Sequence, residues 1–242
     1  MNAADNKRRA FLAAAGAGAV AIAPGLLLVR ASVAEEAGTR LASSKVRWGM
    51  LIDSTKCSSD CNECVKACNA ENGIVEEVAD ARQRSQWIRK IDLVEKRTGR
   101  QHSLPMMCQH CANPPCVDVC PTGASMKRAD GIVLVDRHIC IGCRYCMMAC
   151  PYKARSFVHE PLTTQNPEVP RGVGCVEACT FCVQRVDRGQ NPACMEACPQ
   201  GAILFGDLND ESSELVKRLK EVASTQVRAE LKLDTGVRYQ GI

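Results

Sequence analysis

The sequence predicts a loop-rich α+β fold in which short antiparallel strands and short helices surround groups of cysteines. Three observations support this fold class. The chain contains 17 cysteines in 242 residues, which is far above ordinary usage. Sixteen of them fall into four groups of four, so the grouping repeats along the chain. Aromatic residues make up only 4% of the chain, so something other than aromatic packing is expected to organise the interior.

Residues 1–34 are predicted to be an export signal. The paired Arg8 and Arg9 precede an apolar stretch, Phe11 to Val29, and a small-x-small cleavage site ends at Ala34. Paired arginines are typical of twin-arginine signals, which carry proteins across the membrane already folded. The alternative is a retained anchor, although a stretch rich in Ala and Gly and broken by a proline makes a weak membrane helix. The mature protein is therefore expected in the periplasm, peripheral to the inner membrane.

The charge balance and the motifs exclude several functional classes. After residue 34 the chain carries 27 Lys and Arg against 26 Asp and Glu, so no basic field favours a nucleic-acid partner. The sequence contains no nucleotide-binding glycine loop, no nucleophile and base pair, and no C-x-x-C-H haem motif. Catalytic residues are not predicted.

The four cysteine groups are the candidate cofactor ligands. They consist of Cys57, Cys61, Cys64 and Cys68; Cys108, Cys111, Cys116 and Cys120; Cys140, Cys143, Cys146 and Cys150; and Cys179, Cys182, Cys194 and Cys198. Cys175 remains outside the groups and is expected to be a free structural thiol, with a substitute ligand as the alternative.

Three chemistries compete for these thiols. Disulfides suit an exported protein, but cysteines two or three residues apart are poorly placed to pair within a group. Zinc is satisfied by two C-x2-C pairs per ion, whereas the third group, "CIGCRYCMMACP", follows its first pair with a third close cysteine and a fourth before proline, which is more than a zinc site needs. That spacing instead matches [4Fe–4S] ligation, in which three cysteines wrap one cluster and the fourth, before Pro151, binds a neighbouring cluster. The spacing therefore favours iron–sulfur clusters.

The same rule predicts which cysteines share a cluster. The expected iron ligand sets are Cys57, Cys61, Cys64 and Cys198; Cys108, Cys111, Cys116 and Cys150; Cys140, Cys143, Cys146 and Cys120; and Cys179, Cys182, Cys194 and Cys68. Four clusters follow, or three if the first loop, with Asp60 inserted, has lost its cluster. Because each cluster would take its fourth cysteine from a distant group, the metal-free chain is expected to be largely unfolded.

The ligand sets also predict the domain organisation. Residues 108–151 would form an inner bacterial-ferredoxin-like module, and residues 57–68 with 175–206 an outer module interleaved with it. Together they would form a double [4Fe–4S] domain over residues 35–206. A C-terminal helix and tail over residues 207–242 would follow.

Short elements are expected around the cysteine loops. Alternation predicts a strand over Trp87 to Val94, and a ribbon of two strands is expected on either side of Gly131. A further strand includes residues 203–205. A packing helix is predicted to begin near Asp210, with Leu215, Leu219 and Val222 on one face; a docking helix is the alternative.

A few further residues are candidates for supporting roles. His110, inside the second loop, is either a spacer whose ring packs on the loop or a hydrogen-bond donor to a cluster sulfide. Gly123 and Gly142 are expected to permit close approach of the backbone to the clusters. Lys153 and Arg155 are expected to be solvated charges or part of a partner surface.

Three segments carry a resemblance to a known family. They are "CQHCANPPCVDVCPTGA", "VDRHICIGCRYCMMACPYKAR" and "CTFCVQRVDRGQNPACMEACPQGAILFGDLND". They are similar to the four-cluster ferredoxin-like electron-transfer subunits of the complex iron–sulfur molybdoenzyme family, over about residues 46–242. With its own export signal, the chain most resembles the periplasmic ferredoxin-like subunit of the Dsr transmembrane complex of sulfur metabolism.

The resemblance implies an electron-transfer subunit that is not an enzyme on its own. It would relay single electrons within a membrane-bound respiratory complex of dissimilatory sulfur metabolism. Its partners would be an integral membrane, quinone-interacting subunit of the polysulfide-reductase type and a periplasmic multihaem cytochrome c. The alternative is a ferredoxin-like subunit of a nitrite, polysulfide or molybdopterin reductase system. A periplasmic iron–sulfur reductase acting alone and a zinc-dependent assembly scaffold also remain open.

Overall fold

The computed structural model describes residues 41–75, 78–162 and 165–242, and the predicted export signal lies outside these ranges. The described chain is a loop-rich mixture of short strands and short helices, which agrees with the predicted α+β class. The strands are β1 (Trp48–Asp53), β2 (Arg89–Val94), β3 (Gln101–Met106), β4 (Ser125–Lys127), β5 (Val133–Val135), β6 (Ser156–Phe157), β7 (Val176–Glu177), β8 (Ile203–Asp207), β9 (Ser224–Thr225) and β10 (Val237–Gln240). The helices are α1 (Glu63–Glu71), α2 (Pro115–Asp118), α3 (Tyr145–Ala149), α4 (Val183–Val186), α5 (Ala193–Glu196) and α6 (Glu214–Glu221). Within the described ranges, no helix has both the length and the apolar character needed to cross a membrane.

A four-stranded sheet joins the two ends of the described chain. Its order is β8-β1-β10-β9, with β1 antiparallel to β8 and parallel to β10. Ile52 of β1 lies opposite Ile203 of β8 and Tyr239 of β10, and all three side chains are buried. Successive side chains of a strand point to opposite faces of the sheet, so the nearly continuous burial of β1 means that both of its faces are covered. The C-terminal residues, expected to be a tail, therefore supply an inner strand of the main sheet.

Three antiparallel pairs of strands complete the strand pairing. The predicted strand over residues 87–94 is present from Arg89 onward as β2, and it pairs with β3, a strand that no sequence pattern had indicated. The predicted ribbon is present as β4 and β5, and Gly131 between them has a φ of +87°. Strands β6 and β7 form the third pair. The predicted strand at residues 203–205 is also present, as part of β8.

Four short helices position cysteines in the same way. The third cysteine of each group is the second residue of a helix: Cys64 in α1, Cys116 in α2, Cys146 in α3 and Cys194 in α5. Helix α1 packs against α5, and α2 packs against α3. The first cysteine group therefore lies beside the fourth, and the second lies beside the third.

The C-terminal helix begins later than predicted. Ser212 donates from its backbone N–H and its hydroxyl to Asp210 Oδ1, at 2.8 and 2.7 Å, so Asp210 forms a turn before the helix. Helix α6 then starts at Glu214, and Val222 lies beyond its end in an extended conformation. The helix buries Leu215 and packs against β8 and β1.

Candidate metal centres

All seventeen cysteines lie within the described residues, and none of them forms a disulfide. No three His, Cys, Asp or Glu side chains of the described chain converge as ligands of a single ion do. Zinc holds thiolate sulfurs at about 2.3 Å, so its ligands must converge on one point. We describe the thiols in four quartets, which are the ligand sets predicted from the sequence.

Quartet 1 consists of Cys57, Cys61, Cys64 and Cys198, which line one cavity together with Lys90. Burial raises the pKa of the Cys64 thiol to about 11, and the neighbouring Cys57 and Cys198 thiols contribute to the rise, whereas Lys90 opposes it. The structure therefore brings the last cysteine of the fourth group to the first loop.

Lys90 stabilises the turn of the first loop that contains the inserted residue, Asp60. Lys90 Nζ donates to the backbone oxygen of Cys61 at 2.8 Å and also to that of Ser58. These two contacts span the wider turn between Cys57 and Cys61. The lysine comes from β2, within the insert between groups one and two, so loop spacing alone did not reveal it.

Quartet 4 consists of Cys68, Cys179, Cys182 and Cys194, all of which are buried. Burial raises the pKa of Cys179 well above its usual value, and the Cys68, Cys194 and Cys182 thiols raise it further. Asn72 Nδ2 lies 3.6 Å from Cys68 Sγ and donates to it. Asn72 was not predicted as part of a site, although its position four residues after Cys68 places it one helical turn away.

Quartet 2 consists of Cys108, Cys111, Cys116 and Cys150, and it is also buried throughout. Burial raises the pKa of Cys111 to about 12, and the thiols of Cys108, Cys116 and Cys150 add to the rise. The four thiols are thus close enough to interact electrostatically.

Quartet 3 consists of Cys120, Cys140, Cys143 and Cys146, and it is the most exposed of the four. Burial raises the pKa of Cys146, and the Cys116 and Cys120 thiols add to the rise. Cys140 packs against the small core cluster that contains Cys146. Cys143 is the one exposed cysteine of the chain. The structure places Cys175 beside this quartet, where its thiol donates to the Arg137 carbonyl oxygen at 3.4 Å.

A repeated turn holds the last cysteine of three groups. After each Cys-Pro step, a backbone N–H returns to the cysteine sulfur: Ser125 to Cys120 at 3.3 Å, Ala154 to Cys150 at 3.5 Å and Ala202 to Cys198 at 3.3 Å. Hydrogen bonds of this kind stabilise a thiolate and tune a cluster that the thiolate holds.

His110 is a buried, neutral side chain between quartets 2 and 4. Its ring stacks on Phe181 with 3.6 Å between the ring centroids, so the predicted packing of this ring is present. Burial, assisted by Arg155, lowers the pKa of His110 to about 3. Nδ1 accepts from the Val133 N–H at 3.0 Å, which places the hydrogen on Nε2. That buried Nε2 has no hydrogen-bond partner within the described ranges.

The prediction that Arg155 is a solvated or partner-facing charge is wrong. Its side chain is buried, with 6% relative exposure, because the chain turns back after Cys150, where the Ala154 N–H donates to the Cys150 sulfur. One guanidinium nitrogen donates to Cys116 Sγ at 3.1 Å and to Ser125 Oγ at 2.7 Å. Lys153, two residues earlier, is exposed as expected.

Neighbouring residues link the quartets in the order 1, 4, 2, 3, and we call this series the row. Cys64 of quartet 1 interacts electrostatically with Cys194 of quartet 4. The His110 and Phe181 stack joins quartets 4 and 2, and Cys116 interacts with Cys146 across quartets 2 and 3. The two middle quartets are buried, whereas both end quartets contain partly or fully exposed cysteines. The row therefore approaches the surface at both ends.

Comparison with known proteins identifies relatives along most of the chain. The family described as "4Fe-4S dicluster domain" matches residues 100–208. The Hdr-like menaquinol oxidoreductase iron-sulfur subunit 1 of Archaeoglobus fulgidus is 43% identical over 226 aligned positions, covering 81% of this chain and 83% of the relative. Protein NrfC of Escherichia coli is 38% identical and covers 80% and 82%. The menaquinone reductase iron-sulfur cluster-binding subunit of Nitratidesulfovibrio vulgaris is 35% identical and covers 81% and 89%.

Proposed function

Because the chain belongs to the family of ferredoxin-like iron–sulfur subunits associated with molybdoenzymes and related quinone oxidoreductases, we propose that it relays electrons end to end through four [4Fe–4S] clusters. The family carries several such clusters, and its members are electron-transfer subunits of oxidoreductase complexes rather than enzymes on their own. The observation that carries the proposal is the row of quartets, buried in the middle and exposed at both ends.

The residues of each quartet suit a cluster. Bound clusters accept and donate one electron at a time through thiolate-ligated iron. Burial raises the pKa of thiols such as Cys108 to about 12, and a metal bound there would keep them as thiolates. Two buried donors, His110 Nε2 and Arg155 Nη1, have no acceptor in the described part of the chain, and both lie beside quartet 2. Cluster sulfide and thiolate sulfur are acceptors that would satisfy them.

The proposed ligand sets are the four quartets. Three cysteines of each set then come from one loop and the fourth from another, so the two modules of the fold interleave. The packing of α1 on α5 and of α2 on α3 supports this arrangement. Inner residues 108–151 would hold quartets 2 and 3, and the outer segments would hold quartets 1 and 4. Cys175 would stay a free thiol.

The exposed end at quartet 3 is proposed as a docking surface for a redox partner. Cys143 is flanked by large exposed apolar side chains on the same loop and helix: Ile139, Ile141, Tyr145 and Met148. Apolar groups exposed together on a soluble surface mark an interaction site. Their position beside the exposed thiol would bring a partner's cofactor close to the end of the row.

The cellular setting is proposed from the sequence and from the relatives. The paired arginines support export of the folded subunit to the periplasm, where it would be peripheral to the inner membrane. Relatives that are named menaquinol oxidoreductase and menaquinone reductase subunits support a quinone-interacting membrane partner. We assign the complex to dissimilatory sulfur metabolism, with a membrane subunit of the polysulfide-reductase type and a multihaem cytochrome c as partners.

The first experiment measures iron, acid-labile sulfide and zinc per chain on anaerobically purified mature protein. About sixteen iron atoms with equal sulfide are expected, at four per cluster. About twelve iron atoms, with the quartet 1 signal missing, would refute the four-cluster relay and leave three clusters. Zinc in place of iron would refute electron transfer altogether. Replacing Arg8 and Arg9 by lysines should retain the subunit in the cytoplasm with its iron bound.

A second candidate is the corresponding subunit of a nitrite, tetrathionate or molybdopterin reductase system. It is favoured by the 38% identity to NrfC and by the same identity to a tetrathionate reductase subunit of Salmonella typhimurium. Affinity purification of the subunit from solubilised membranes distinguishes the two. Recovery of a nitrite, tetrathionate or molybdopterin reductase catalytic subunit would favour this candidate, and recovery of a polysulfide-reductase-type membrane subunit with a multihaem cytochrome c that lacks nitrite reductase activity would favour the sulfur-metabolism complex.

A further inference from the structure

Arg155 is a buried cation whose partners are thiols rather than carboxylates. Within the described ranges no carboxylate forms an ion pair with Arg155, whereas the equally buried Arg171 pairs with Glu177 at 2.6 Å. Buried charges are normally paired, because an isolated one is strongly disfavoured in a low-dielectric interior. Arg155 therefore requires a negative partner that the protein's carboxylates do not supply.

The guanidinium lies where quartets 2 and 3 meet. It donates to Cys116 Sγ of quartet 2 at 3.1 Å and interacts with the Cys146 thiol of quartet 3. Cys116 and Cys146 occupy equivalent positions on α2 and α3, two helices that pack against each other. One side chain thus contacts a proposed ligand of each of two adjacent clusters.

The internal repeat shows that this charge is specific to one site. The fifth residue after the last cysteine is Ser125 in "CPTGAS", Arg155 in "CPYKAR" and Ile203 in "CPQGAI". All three positions are buried, and the turn before each is held by the same type of hydrogen bond to sulfur. The turn itself therefore requires no arginine. Ile203, at the equivalent position beside quartet 1, carries no charge.

We propose that Arg155 is a shared counter-charge that raises the reduction potentials of the two clusters held by quartets 2 and 3. This inference rests on the proposed function, in that both quartets bind [4Fe–4S] clusters. Four thiolates outweigh the charge of the iron–sulfide core, and reduction adds a further negative charge. A buried cation close to both clusters stabilises the reduced form of each, because little solvent screens the attraction. Arg155 is a positioning and tuning residue, not a catalytic one.

The test uses redox titrations that are monitored by EPR. It compares the unmodified protein with Arg155→Gln and Lys153→Gln. The signals of quartets 2 and 3 are assigned with Cys111→Ser and Cys143→Ser. Arg155→Gln should lower the one-electron reduction equilibrium constant of both clusters by about tenfold or more, which corresponds to about 59 mV per tenfold change. The exposed Lys153 is the matched control, and its loss should change either constant by less than about twofold because solvent screens it.

Unchanged potentials in an iron-replete Arg155→Gln protein would overturn the proposal. If this variant loses iron, Arg155→Lys decides, since lysine keeps the charge without the planar guanidinium. If the reduction equilibrium constants of Arg155→Lys lie within about threefold of those of the unmodified protein, the result supports a charge effect. A tenfold fall in that variant, or loss of its clusters, would show that the guanidinium acts structurally and would also overturn the proposal. A lack of iron in the unmodified protein would instead refute the proposed function itself.

Discussion

Replacement of Gly142 by alanine should release the quartet 3 cluster. Gly142 lies between Cys140 and Cys143 with a φ of +68°, and a Cβ atom there would lie 2.3 Å from the backbone oxygen of Gly174. It would also lie 3.1 Å from Cε2 of Phe157. The Gly174 backbone is held in turn, because its N–H donates to the Val158 carbonyl oxygen at 2.9 Å. The overlap can therefore be relieved only by moving the cysteine loop.

The magnitude follows from a comparison with Gly123→Ala. Gly123 has a similar φ of +72°, but no atom lies within 4 Å of its added Cβ. Both variants should pay the left-handed backbone strain of about 1–2 kcal/mol, since alanine replaces glycine in each. Gly142→Ala should add an overpacking term of about 1–3 kcal/mol. The difference between the two variants isolates the close contact with Gly174.

The assay is the rate at which the visible iron–sulfur absorbance disappears in excess iron chelator under anaerobic conditions. If cluster loss requires opening of the loop, the extra 1–3 kcal/mol makes Gly142→Ala lose absorbance about 5- to 150-fold faster than Gly123→Ala. EPR should show that the quartet 3 signal disappears first. Equal rates in the two variants would refute the reasoning, because they would mean that the loop does not pack on Gly174.

Three further predictions concern ligation and stability. Cys198→Ala should lower iron by up to about four atoms per chain by disrupting the quartet 1 cluster, whereas Cys175→Ala should leave iron unchanged; the reverse result would contradict the ligand assignment. Glu177→Gln should destabilise the protein by about 3–5 kcal/mol, because it leaves Arg171 buried without its partner. Thermal denaturation should show a lower midpoint, largely recovered in the double variant Arg171→Met, Glu177→Leu; no recovery would argue against the ion pair as the cause. Removal of iron by chelation should abolish most of the far-ultraviolet circular dichroism, because the cysteines line the core, and a folded metal-free chain would contradict this.

The sequence by itself determined the features that depend on short separations along the chain. Closely spaced cysteines such as Cys140, Cys143 and Cys146 can wrap one cluster, so the loops and their iron–sulfur chemistry could be predicted from spacing. The ribbon around Gly131 was predictable because a glycine with positive φ closes a turn between two adjacent short strands. Proline after the last cysteine likewise marks a local change of direction.

Tertiary structure decided the features that depend on which distant segments meet. Strand β10 is an inner strand because it lies between β1 and β9, and neither pairing is visible in "VRYQ" alone. Residues Lys153 and Arg155 have similar charges and nearly adjacent positions, yet one is exposed and the other is buried against Cys116. The order of the quartets likewise depends on contacts such as that between His110 and Phe181, 71 residues apart in the sequence. Burial and long-range packing set these arrangements, because the free energy of placing a charge, a ring or a strand depends on neighbours that the local sequence does not specify.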